Sequence, residues 1–76
     1  MMTNKILLTV ISALGITSED AKRNCREIPE IDAFYFWNNQ RGGKAMIINE
    51  QGERLIASSA VKYEDHIKAF VSGKRN

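Results

Sequence analysis

Apolar residues recur at helical spacing near the start of the chain: Ile6, Leu7, Val10, Ile11 and Leu14, with Lys5, Thr9 and Ser12 on the other side. Thr3 stands where a hydroxyl caps a first turn, and Gly15 stands where a left-handed residue ends a helix. A first helix with a wide buried face is expected. Thr17 is placed to cap a second helix, with Glu19 and Asp20 in its first turn, where the helix dipole favours acids. Ala21, Cys25 and Ile28 follow at i, i+4 and i+7, and Lys22, Arg23 and Arg26 point elsewhere. Pro29 pushes the residue before it out of helical geometry, so this helix is expected to close at Ile28.

From Ala33 the period changes from helical to two. Residues 33–37, 44–49 and 53–58 read as strands. "NEQGE" between the last two suits a three-residue hairpin loop in which Gly52 supplies the positive φ. "YEDHIKAFVS" then gives a last helix with Tyr63, Ile67, Phe70 and Val71 on one face and Gly73 as its stop, although Lys62 is a poor cap. The order is ααβββα. The expected fold is a two-layer α+β domain spanning residues 1–76: a three-stranded antiparallel meander, helices mainly on one face, and a frayed tail over 74–76.

The hairpin loop sets the register of its strands. If Asn49 opposes Glu53, then Ile47 faces Leu55 and Ala45 faces Ala57, giving an uncharged inner face that lets helices approach closely. The other face then pairs Met46 with Ile56, Ile48 with Arg54 and Lys44 with Ser58. Laying the aromatic strand across a six-residue loop sets Trp37 opposite Lys44 and Tyr35 opposite Met46. Phe34 and Phe36 go inward on this register. Tyr35, Trp37, Met46, Ile48 and Ile56 make an outer face edged by Lys44 and Arg54, which so short a chain leaves open for a partner. The alternative splits the helices over both faces, and a slip of one residue inverts the assignment.

Composition narrows the classes. Seventy-six residues with 43% apolar content suffice for one small core and argue against disorder. Eleven basic against nine acidic residues leave a formal charge of +2, too small to argue for nucleic acid by itself. Cys25 is the only cysteine and His66 the only histidine, so an intramolecular disulfide, a cysteine cluster and a paired-histidine metal site are all excluded. A reducing, cytoplasmic setting is expected. The start of the chain has a lysine before an apolar run, but the run is too short to span a bilayer and lacks a small-x-small cleavage pattern, so a packed helix is expected there.

Little in the chain points to catalysis. A Cys25 nucleophile with a His66 base would need two helices to bring the residues together, and a buried structural thiol is the simpler reading. The adjacent acids Glu19 and Asp20, and Glu64 and Asp65, diverge around a helix and so serve as first-turn dipole partners, not as metal ligands. "QRGGK" offers glycine amides and Arg41 to an anion, but a strand follows it where a phosphate loop has a helix, so a hairpin turn is expected.

"ISALGITSEDAKR" joins two short helices through a glycine turn and resembles a helix-turn-helix element. That resemblance implies DNA contacts from Lys22, Arg23 and Arg26, within residues 3–28. It departs from the motif at Ile11, which stands where a small residue is usual.

These readings favour a small non-enzymatic interaction module: a regulator, inhibitor or accessory subunit that docks on a protein partner or self-associates. Its expected surface is Tyr35, Trp37, Met46, Ile56, Arg41, Lys44 and Arg54, with no cofactor, metal or membrane involved. The alternative is nucleic-acid binding through the helix pair or through bases stacked on the aromatic and basic sheet face.

Overall fold

The computed structural model describes residues 3–38, 43–58 and 60–75. It is a small α+β fold with a four-stranded antiparallel sheet: α1 (Asn4–Leu14), α2 (Ser18–Arg23), β1 (Cys25–Ile28), a 3₁₀ turn (Pro29–Ile31), β2 (Ala33–Trp37), β3 (Lys44–Asn49), β4 (Arg54–Ser58) and α3 (Tyr63–Val71). The strands lie in the order β1-β2-β3-β4.

Both expected helix caps are present. The Thr3 hydroxyl accepts the Ile6 amide at 3.2 Å, and the Thr17 hydroxyl accepts the Asp20 amide at 3.1 Å. Gly15 closes α1 at φ 66°, a conformation costly for any residue with a Cβ. Lys62 gives α3 no side-chain cap, as its chemistry implies.

The second helix is shorter than expected. It stops at Arg23, and residues 25–28, expected to continue it, form the extra strand β1. In a helix, Cys25 and Ile28 would share one face. In the strand they alternate, so Cys25 packs with the α1 side and Ile28 with the α3 side. The strand also gives β2 hydrogen-bonding partners on both edges, with Arg26 opposite Tyr35 and Cys25 opposite Phe36. Tertiary pairing thus overrides the local helical spacing.

The β3–β4 hairpin has the expected register, with Ile47 opposite Leu55 and Met46 opposite Ile56. Asn49 fastens its turn. Its Oδ1 accepts the Gln51 and Glu53 amides at 3.1 and 2.9 Å, and its Nδ2 donates to Glu53 Oε1 at 2.9 Å. Gly52 adopts φ 87° in that turn.

The β2–β3 register differs by one residue from the expectation. Trp37 faces Ala45 and Tyr35 faces Ile47, while Phe36 faces Met46. The Asn38 amide extends the ladder to the Lys44 carbonyl at 3.0 Å, so the connection is one residue shorter than assumed. A slip of one residue exchanges faces. Phe34, Phe36, Met46 and Ile48 therefore lie together beneath α1, with Ala21 of α2 and the half-buried Ile56.

Helices cover both faces of the sheet, not mainly one. On the second face Ile28, Ala33, Ile47 and Phe70 form a smaller core, with Tyr35, Leu55, Tyr63 and Ile67 packed around it. Arg75, which follows α3, lies over the Phe70 ring, 3.7 Å from its centroid, and its Nε is 3.6 Å from Glu53 Oε2. Asn76, the last residue of the expected tail, lies outside the described residues.

Candidate functional site: an aromatic recess beside α3

The two halves of the β2 alternation have separate roles. Phe34 and Phe36 are core residues under α1, 6.3 Å apart between ring centroids. Tyr35 and Trp37 emerge on the α3 face, 5.8 Å apart and tilted by 33°. Tyr63, the first residue of α3, stands edge-on to Tyr35, 4.8 Å away with its plane at 88°. This is the favoured arrangement of two ring quadrupoles.

These three aromatics, with Arg26, Asn38 and Ala45, line a recess of about 310 Å³. It exists because the residue opposite Trp37 is small: Ala45 fills little of the space between the Trp37 ring and the α3 end of the sheet. Tyr35, Trp37 and Tyr63 are each half-buried, so each presents ring surface to solvent. Arg26 enters from β1. Its guanidinium carbon lies 4.7 Å from the centroid of the Tyr63 ring, a cation–π geometry that holds the charge at the rim.

His66 supports the recess from behind. It is buried at 1% exposure and meets Tyr35 edge-on, 5.7 Å between centroids. Its Nε2 lies 2.8 Å from the Leu55 carbonyl oxygen, which can only accept, so Nε2 carries a hydrogen. Its Nδ1 is buried and has no hydrogen-bond partner among the described residues. Burial pushes the Tyr35 phenol above its ordinary value, with Tyr63 adding to the effect, so the ring stays neutral at physiological pH.

The other expected site residues do not assemble into one surface. Met46 has no solvent exposure and Ile56 is half-buried against the α1 core, so neither joins Tyr35 and Trp37. Lys44 and Arg54 are exposed, but strand alternation points them to the α1 face. Arg54 lines a mixed-charge hollow with Thr3, Lys5 and Glu50. Arg41 lies outside the described residues. Of the expected nucleic-acid contacts, Lys22 and Arg23 are exposed on α2, with Arg23 3.8 Å from Asp20, whereas Arg26 sits on β1 and turns to the recess.

Cys25 and His66 are separated by the sheet: the thiol packs with the α1 core, the imidazole against Tyr35. Burial, and then Glu27, push the Cys25 thiol up, the opposite of an activated nucleophile. Among the described residues no group of three or more His, Cys, Asp or Glu could hold a metal ion, and no helix is long and apolar enough to cross a membrane.

Arg26 and Tyr63 were not part of the expected docking surface. The helical spacing puts Arg26 on the second helix and Tyr63 on the apolar face of the last one, and only the strand β1 and the slipped register bring them beside Trp37. Compared with known proteins, the chain matches no family model, no curated protein and no solved structure.

Proposed function

We propose that this is a small non-enzymatic interaction protein, a regulator, inhibitor or accessory subunit, that engages a protein partner at the Tyr35–Trp37–Tyr63 recess. The observation that carries this reading is the half-open aromatic wall left beside α3 over the small floor of Ala45. Aromatic side chains with an arginine at the edge are the composition of an interface anchor. The opposed placement of Cys25 and His66 supports a role outside catalysis.

Nucleic acid is the weaker reading. Lys44 and Arg54 lie on the face away from the aromatics, so among the described residues of the recess a stacked strand would meet one cation, Arg26, where backbone binding draws on several. The six-residue α2 also lacks Arg26, the last of the three basic residues assigned to a recognition helix.

The test is capture from the source cells, with and without nuclease, using wild type and Trp37→Ala. A nuclease-resistant protein captured by wild type and lost by a folded Trp37→Ala supports the proposal. Equal capture by both, or capture abolished by nuclease, overturns it. If Trp37→Ala fails to fold, the exposed Arg26→Glu serves in its place.

A further inference from the structure

We propose that the recess is read by acidic peptide segments: one aromatic or large apolar side chain of the partner enters between Trp37 and Tyr63, and a neighbouring carboxylate pairs with Arg26. This rests on the interaction reading above and names the chemistry of the partner.

Size comes first. At about 310 Å³ the recess sits at the bottom of the range of ligand pockets, roughly 300–1,000 Å³, which suits one anchoring side chain better than an extended cofactor. Four of its six lining residues are three aromatic rings and an alanine, with Asn38 and Arg26 beside them, which favours an apolar or aromatic group with a polar neighbour.

Charge supplies the second half of the match. Among the described residues Arg26 is the only charged one of the lining, it is exposed, and it makes no ion pair. Glu27 follows it in sequence but faces the other side of the sheet, opposite Phe34. No acidic side chain among the described residues lines the recess, so the unmatched charge of that lining is positive. The Tyr63 ring already holds the guanidinium at the rim, which reduces the side-chain freedom lost when its planar fork meets a carboxylate. A single guanidinium suits a single carboxylate, whereas a nucleic-acid backbone would call for a row of cations that the described lining does not carry.

The experiment is selection of a displayed random-peptide library on the wild-type protein, with Arg26→Gln as counter-selection. Selected peptides are then titrated against both proteins by calorimetry and by the fluorescence of Trp37, the only tryptophan. Single-stranded oligonucleotides form a parallel arm. The expected result is enrichment of peptides with Asp or Glu beside an aromatic or large apolar residue, binding roughly tenfold more weakly to Arg26→Gln, the loss of one charge-assisted hydrogen-bonded pair. Changing their acid to the amide should weaken binding to wild type by a similar factor and leave binding to Arg26→Gln unchanged.

Enrichment of neutral or basic peptides, or indifference to Arg26→Gln, overturns the acidic assignment while leaving the interaction reading intact. No enrichment overturns the peptide assignment, and it removes the interaction reading too only if Trp37-dependent capture from cells also fails. Binding of oligonucleotides alone overturns both.

Discussion

The Tyr35 ring of β2 meets the edge of the Tyr63 ring of α3 at 4.8 Å and 88°, and this contact joins the central aromatic strand to the last helix at the mouth of the recess. The same rings that hold α3 down also form the proposed docking wall. A double-mutant cycle with Tyr35→Leu and Tyr63→Leu should show a coupling of about 0.5–1.5 kcal/mol in chemical denaturation. Additive effects would mean that the rings do not meet in solution.

Met46 tests the inversion of the faces. It is fully buried beneath α1, so Met46→Ala should lower unfolding free energy by about 2–5 kcal/mol. The exposed neighbour change Lys44→Ala should stay within about 0.5 kcal/mol. Similar small effects for both would restore the register with Met46 on an outer face.

Asn49 should be the costliest surface-turn position. Its side chain holds the Gln51 and Glu53 amides, and Asn49→Ala removes the single Oδ1 acceptor that both amides share, at a mostly buried site. A loss of roughly 1–3 kcal/mol is expected from equilibrium unfolding. Asn49→Asp, which keeps the acceptor but brings a charge toward Glu53, should recover only part of it.

Stability should fall on the alkaline side. Desolvation raises the Cys25 thiol and the Tyr35 phenol above ordinary values of 9.0 and 10.0, with Glu27 and Tyr63 adding in turn. A raised folded value means that the folded state holds the proton more tightly, so this stability is complete below the unfolded values and is lost as pH rises through the folded ones. The denaturation midpoint should therefore decline above about pH 9, and Cys25→Ala should remove the contribution of the thiol. A midpoint insensitive to pH across that range would contradict the burial of both groups.

Much of the fold is legible in the chain because it rests on short-range chemistry. Thr3, Thr17 and Gly15 mark helix ends through groups next to them in sequence, and "NEQGE" sets the β3–β4 register through a three-residue turn. The parts that differ from the sequence expectation depend on distant partners. Cys25 and Ile28 suit one helical face as well as two faces of a strand, and only pairing with Phe36 and Ala33 decides between them. The β2–β3 register passes through a loop with no turn signature strong enough to set its length, and the difference of one residue moved Met46 from the expected surface to the core.

The site was half legible for the same reason. Tyr35 and Trp37 announce themselves by alternation with two phenylalanines. Arg26 and Tyr63 carry no local mark of belonging beside them, since the contact spans β1, β2 and α3. What their residue types do offer is chemistry: an arginine and a tyrosine are natural companions for aromatic neighbours once the topology brings them together.

The most direct measurement is an amide chemical-shift map of the protein with its captured partner. The recess account predicts that the largest changes cluster at Arg26, Tyr35, Trp37, Asn38 and Tyr63, with α2 and the α1 face of the sheet little affected. Changes centred instead on Lys22 and Arg23, or on Lys44 and Arg54, would contradict it.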